Sequence, residues 1–387
     1  MCKTMLNALK INAPVAAKNA FDRFLKPSSL VVAGQLPWES VYTDGLLTIR
    51  HYKPLLESHI EVGGKLVEVS KTKQKTPIVM VAPLAINMLV FDLQPERSFI
   101  KYLLAQGFEV YLIDWGSPTR KHASYTLETY IKEFLPECLT KIREHANVTH
   151  LTLHGWSMGG GMALAHAAAS GCEGIQNIVT LGTPIDGHAN GAAGRNYERF
   201  SKILKTLRVN LRKFPGKVFY TPAWANVIGF KILDPVSAAN GYFTLIKQLH
   251  NREFVANHAN QAAFNENLES YPGGALRDWF CSIWMENETK KGQFTLGKEK
   301  VQFSNITCPV LCVAGKSDAL SNVPCTKGLM PVLGRIDKEF FIGPGGHIGI
   351  VTGKDAVTTI WPKTTAWLKA RDHQAQPVKA VTANQAA

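Results

Sequence analysis

The sequence contains no run of about 18 apolar residues, so nothing in it reads as a transmembrane helix. Its opening residues, 1–6, lack the sustained apolar core of a secretory signal, which points to a cytoplasmic protein. There is no long biased tract. Cysteine is scarce: seven in 387 residues, an odd number, scattered at Cys2, Cys138, Cys172, Cys281, Cys308, Cys312 and Cys325. Cys308 and Cys312 have no metal-like partners beside them, and the set reads as reduced, buried thiols. The sequence therefore calls for no metal and no cofactor. Negative charge is the scarce sign, with 30 Asp and Glu against 43 Lys and Arg, a net +13. The excess gathers at Lys71, Lys73 and Lys75, between Lys202 and Lys217 (with Arg208, Arg212 and Lys213), and at Lys290 and Lys291. It fits a solvated basic surface, attraction of an anionic substrate, or an anionic membrane or granule surface. No recognised nucleic-acid module accompanies the charge, so nucleic acid is not an expected partner.

What is present is ordinary globular material, 45% hydrophobic and 19% charged, long enough for one large domain with an insertion. Residues 1–37 read as a helical lead-in, with Phe21, Phe24 and Leu25 on an amphipathic stretch that Pro27 ends. Two β-rich segments follow, 46–50 and 65–69. Strands and helices then alternate: a strand at 77–83, a helix at 97–106 closed by Gly107, a strand at 109–115, a helix at 127–146, and strands at 148–153 and 177–182. Such alternation means a parallel sheet covered on both faces. From 187 to 305 it breaks into helical, irregular sequence rich in aromatics and Asn. It resumes with strands at 308–314 and 338–342. The expected division is an α/β catalytic domain over 38–186 and 306–371, a cap over 187–305, and a small polar tail over 372–387 predicted to be disordered.

The most informative stretch is His154-Gly155-Trp156-Ser157-Met158-Gly159-Gly160-Gly161. It reads Gly-x-Ser-x-Gly, directly after an apolar strand and directly before a small-residue helix. That is the context of a nucleophile elbow, a turn tight enough to need glycine on both sides, which lifts the serine hydroxyl to the top of an α/β-hydrolase sheet. A Gly-rich connection with no chemistry is the plain alternative.

A lone serine hydroxyl is a poor nucleophile; a base must take its proton, and a third group must orient that base. In this fold they follow in the order Ser, Asp, His. Asp318, after Ala314-Gly315-Lys316-Ser317, ends a late strand at the carboxyl edge of the sheet. His347 follows the last strand through Gly343-Pro344-Gly345-Gly346, whose glycines let a loop carry the imidazole over the serine. Ser157 is thus assigned as nucleophile, His347 as general base then acid, and Asp318 as the orienting carboxylate. Asp186 is a rival for the acid. His154 reads as packed beside the elbow, Asp114 as structural, and His250 and His258 as surface or satisfied core residues. An oxyanion hole needs two backbone donors. One is assigned to Met158 and the other to Ala85, with Leu84 as its competitor.

The chain resembles the polyhydroxyalkanoate synthase family, of the catalytic-subunit type that lacks a long N-terminal domain, from about Trp38 to Arg371. The resemblance is carried by Phe91-Asp92-Leu93-Gln94-Pro95-Glu96-Arg97-Ser98, Val110-Tyr111-Leu112-Ile113-Asp114-Trp115-Gly116, Tyr130-Ile131-Lys132-Glu133-Phe134, Leu181-Gly182-Thr183-Pro184-Ile185-Asp186, Asn305-Ile306-Thr307-Cys308-Pro309-Val310-Leu311 and Gly345-Gly346-His347-Ile348-Gly349-Ile350. It implies a covalent acyl-enzyme, hydroxyacyl-CoA or polyester chemistry, the same base and acid at His347 and Asp318, a homodimer formed through the cap, and a polyester granule as surroundings. One departure is decisive for the reading. The synthases carry cysteine in the elbow, whereas this chain carries Ser157. A thiolate keeps acyl transfer from coenzyme A near energy-neutral; serine forms a less reactive oxoester and depends wholly on its base.

Three functions follow. The first is a serine hydrolase of hydroxyacyl esters, thioesters or polyester. The second is a synthase or acyltransferase that polymerises 3-hydroxyacyl-CoA through serine. The third is a non-catalytic granule-binding homologue, against which the presence of all three residues speaks. The aromatics Phe219, Tyr220, Trp224, Phe230, Tyr242, Phe243, Trp279 and Trp284 line an acyl channel or form the cap's own core; the sequence leaves both open.

Overall fold

The computed structural model describes residues 2–233 and 235–372. The expected polar tail lies outside them except for Asp372, whose carboxylate is fixed by the backbone N–H groups of Lys75 (2.8 Å) and Thr76 (2.9 Å).

One eight-stranded sheet organises the chain. Its strands are β1 (Trp38–Asp44), β2 (Leu47–Tyr52), β3 (Ile78–Val81), β4 (Val110–Asp114), β5 (Leu151–Trp156), β6 (Ile175–Leu181), β7 (Val310–Gly315) and β8 (Lys338–Gly343). They lie in the order β1-β2-β4-β3-β5-β6-β7-β8. The β1–β2 and β2–β4 pairs are antiparallel and every later pair is parallel. Strands β3, β5 and β7 are buried along their whole length, as uninterrupted apolar runs must be when helices cover both faces. This is the α/β-hydrolase architecture that the strand–helix alternation and the elbow predict.

Helix α1 (Cys2–Leu25) is helical as expected, but its amphipathic face is reversed. Phe21, Phe24 and Leu25 point outward, and Asn19, Asp22 and Arg23 are buried. The reason is polar pairing. Asn19 donates to the Leu249 carbonyl (2.8 Å), Arg23 Nε to His258 Nδ1 (3.0 Å), and Arg252 ion-pairs with Asp22. Helix α2 (Phe99–Ala105) lies within the expected span, capped by Ser98. The long helix expected over 127–146 is two pieces: a wide π-turn at Thr129–Phe134, then α3 (Leu135–Ala146). Pro136 has no N–H to offer the preceding turn, so regular i→i−4 bonding cannot run through it.

Helix α4 (Met158–Ser170) follows β5 directly. Between β6 and β7 come α5 (Gly191–Thr206), α6 (Ala223–Leu233), α7 (Pro235–Lys247), α8 (Arg252–Asn265), α9 (Gly273–Phe280) and a hairpin of Gln293–Leu296 and Glu299–Gln302. That hairpin was not evident from the sequence. Of the basic cluster, Arg212 is not solvent-facing. It bonds Glu286, Glu288 and the Ser282 hydroxyl, each at 2.9 Å, and ties the start of the insertion to its end.

Candidate active site

The elbow is built by glycine. A Cβ on Gly159 would lie 2.0 Å from the Val81 carbonyl oxygen of β3, and one on Gly155 would lie 2.4 Å from the Cα of Gly160. Strand, turn and helix therefore meet at backbone contact, and the chain reverses so sharply that Ser157 adopts φ 53°, ψ −123°. A positive φ at a non-glycine residue is strained, and surrounding contacts must hold it. One is the bond from the Ser157 N–H to the Leu181 carbonyl on β6 (2.8 Å). Gly159→Ala should cost roughly 1–3 kcal/mol, the range for forced overpacking, read as a lower denaturant midpoint. An unchanged midpoint would mean that α4 can step away from β3.

The structure brings Ser157, His347 and Asp318 together from three strand ends. His347 Nε2 lies 2.9 Å from Ser157 Oγ, and its Nδ1 lies 2.8 Å from Asp318 Oδ2. The other carboxylate oxygen accepts the N–H groups of Leu320 (2.9 Å) and Ser321 (2.8 Å). Asp318 is buried and offers only acceptors, so Nδ1 carries the ring proton and Nε2 presents its lone pair to the serine hydroxyl. The His347 loop is anchored from β5: Trp156 Nε1 donates to the His347 carbonyl (3.1 Å), and the two rings lie 5.4 Å apart.

Asp186 stands apart from this relay. Its carboxylate accepts from Asn287 (2.8 Å) and the Ala189 N–H (3.2 Å) and pairs with Lys290 (2.9 Å). Burial alone would raise its pKa, but Asn287 and Lys290 outweigh that and hold it below the usual carboxylate value. Asp186→Ala should keep ester turnover within a few-fold of wild type. It should also lower unfolding free energy by about 1–3 kcal/mol, because Asn287 loses its buried acceptor. A collapse of turnover with intact folding would return Asp186 to the mechanism. His154 is buried beneath the elbow against Phe99 (ring centroids 5.0 Å), and neither ring nitrogen has a partner among the described residues. Burial drives its pKa down to about 3, so it is neutral. Asp114 pairs with Arg50 and accepts the Gly116 N–H (2.9 Å).

Ser157 and His347 open into a cavity of about 320 Å³, mostly apolar, whose wall also includes Met158, Ala85 and Leu84. Ala85 has φ 63°, and its carbonyl accepts from Asn226 Nδ2 (2.8 Å) and the Glu269 N–H (3.2 Å), which fixes the peptide that follows it, between Ala85 and Ile86. Among the aromatics weighed from the sequence, Phe230, Trp279 and Trp284 line the cavity, whereas Trp224 and Phe243 are exposed. Two aromatic lining residues were missed, Tyr197 and Tyr271. The Tyr271 hydroxyl meets Met158 Sδ at 2.9 Å. Nothing in their local sequence distinguishes them from other aromatics. Ligating atoms of Glu39, His51 and His145 lie within 4.8 Å of one another, but none of the three lines the cavity. Among the described residues no helix is long and apolar enough to cross a membrane.

A family model described as the alpha/beta hydrolase fold matches residues 88–224. The poly(3-hydroxyalkanoate) polymerase subunit PhaC of Haloferax mediterranei is 26% identical over 350 residues, covering 89% of this chain and 66% of its own length. PhaC of Thiocystis violacea is 27% identical over 344 residues, covering 87% of this chain and 89% of its own. Among solved structures, the monoacylglycerol lipase of Paleococcus ferrophilus covers 79% of this chain and 99% of its own at 18% identity, with a TM-score of 0.49. With the sheet, the elbow and relatives matched along most of its length, the chain has the α/β-hydrolase fold and is similar to the polyhydroxyalkanoate synthases.

Proposed function

We propose that the chain is a serine acyl-transfer enzyme that hydrolyses hydroxyacyl esters, thioesters or polyester. The observation that carries this reading is the Ser157–His347–Asp318 relay at the mouth of an apolar cavity. Ser157 Oγ attacks the acyl carbonyl while His347 Nε2 takes its proton. Asp318 steadies the resulting imidazolium, and the N–H groups of Met158 and Ala85 receive the oxyanion. His347 returns the proton to the leaving thiol or alcohol, leaving acyl-Ser157. Water, deprotonated by His347, then attacks and releases the free hydroxy acid. In this reading residues 187–305 are a cap that supplies Tyr197, Tyr271, Trp279 and Trp284 to the acyl wall and limits access of water.

A second reading, polymerisation, is favoured by the relatives, which are poly(3-hydroxyalkanoate) polymerase subunits. There the hydroxyl of the next hydroxyacyl group replaces water. Dimerisation through the cap and attachment to a granule belong to the proposal as well. They are supported by Ile203, Trp224, Ile228 and Ile246, which are exposed on α5–α7, and by Leu207 just after α5.

The test is purified protein with 3-hydroxybutyryl-CoA and with a short p-nitrophenyl ester, following coenzyme A release and the products. Free hydroxy acid and nitrophenol support the hydrolase. Coenzyme A release with insoluble polyester and little free acid would replace it by the synthase. Neither product would overturn both.

A further inference from the structure

Two thiols far from the Ser157 cavity face each other across a long gap in the chain. Cys172 sits just past the C-terminal end of α4, after Gly171, and Cys308 lies just before β7. They are 136 residues apart in sequence, yet their Sγ atoms are 2.8 Å apart. The stretch between them contains β6 and the whole of 187–305. Both side chains are buried, but Gly171, Glu173 and Thr307 around them are exposed, so the pair lies one residue beneath the surface.

The surroundings distinguish the two sulfurs. Cys172 Sγ accepts the backbone N–H groups of Thr307 (3.3 Å) and Cys308 (3.4 Å), and no carboxylate among the described residues bonds it. The Cys308 thiol and these two amides favour its thiolate and bring its pKa down to about 6, whereas its neighbour's is raised. A thiolate-prone, near-surface cysteine beside a second thiol is the arrangement of an attacking and a resolving sulfur. Cys138, Cys281, Cys312 and Cys325 do not share it: burial raises all four, the last three to about 12.

We propose that Cys172 and Cys308 are a peroxide-oxidisable pair that closes a disulfide between the end of the elbow helix and the start of β7. The Cys172 thiolate attacks one oxygen of hydrogen peroxide, the O–O bond breaks, and hydroxide leaves, giving a sulfenic acid. Cys308 sulfur, losing its proton, then attacks Cys172 sulfur and expels water. Two thiols are oxidised by two electrons, and one peroxide is reduced to two waters. Reduction by a small dithiol reverses the step. The bond links the strand that leads to Asp318 with the helix that begins at Ser157, on the side of the sheet away from the relay. The reduced protein holds these parts together by packing and hydrogen bonds, among them Thr307 Oγ1 to the Gly171 carbonyl (3.2 Å), and the oxidised protein adds a covalent link.

The experiment uses the full chain, treated with equimolar hydrogen peroxide, alkylated, digested and mapped by mass spectrometry, with thermal unfolding in parallel. The expected result is loss of two of the seven alkylatable thiols, one linked peptide pair joining Cys172 to Cys308, and a higher melting temperature that dithiothreitol reverses. Cys172→Ser and Cys308→Ser should each abolish the linked pair and the shift, while Cys138→Ser keeps both. The pairing is overturned if Cys172 stays alkylatable, if it proceeds to sulfinic acid without the link, or if the link joins another cysteine. The wild-type map alone decides this should a serine variant fail to fold.

Discussion

Ser157→Ala is expected to lower ester turnover by about a million-fold, to a residual rate set by binding and the backbone donors alone. Its Oγ is the atom that His347 Nε2 faces at 2.9 Å, and among the described residues no other hydroxyl bonds that nitrogen. The fold should be untouched. Alanine inherits the same strained backbone at φ 53°, and the N–H bond to Leu181 does not involve the side chain. Loss of activity with an unchanged unfolding midpoint would separate chemistry from stability. Retained turnover of 3-hydroxybutyryl-CoA or of the nitrophenyl ester would remove Ser157 from the mechanism.

Asp318→Asn should reduce kcat by roughly ten thousand-fold, with a smaller change in KM. The derivation is a matter of donors and acceptors. The N–H groups of Leu320 and Ser321 require an acceptor, so the asparagine carbonyl must turn toward them. Its NH₂ then faces His347 Nδ1, which must become an acceptor. The proton moves to Nε2, where it blocks transfer from the serine hydroxyl. A single proton on the wrong ring nitrogen accounts for the loss without any displaced atom. The rate should recover as pH rises only if another base replaces the imidazole. Wild-type kcat in this variant would show that the carboxylate does not fix the tautomer.

The elbow was legible because its requirement is local. Glycine at 155 and 159 is demanded by contacts within one turn, and the flanking apolar strand and small-residue helix are readable from side-chain size alone. Asp318 was legible because it follows the apolar strand β7, and His347 because it follows Phe340-Phe341-Ile342 and a glycine-rich loop, with the fold fixing their order along the chain. Strand β1 was not. None of its seven residues is buried, so an edge strand covered on one side leaves no apolar alternation to read. The direction in which α1 docks was lost for a different reason. Hydrophobic side chains normally mark the buried face, but here Asp22 and Arg23 find charged partners at the two ends of α8, Arg252 and Glu266, more than 200 residues away. The aromatics of 187–305 carry the same ambiguity. Nothing local separates Trp224 from Trp284, yet Trp284 lies against Tyr197 of α5 and lines the cavity, whereas Trp224 on α6 faces solvent.

The bond from Trp156 to the His347 carbonyl has a mechanical meaning. Tryptophan and serine are adjacent in the chain, so the residue that steadies the imidazole loop shares its mount with the hydroxyl the imidazole must reach. When the sheet flexes, both move as a common mode, and that motion leaves their separation unchanged. Only relative displacement opens the 2.9 Å gap, and the indole is a strut across that coordinate.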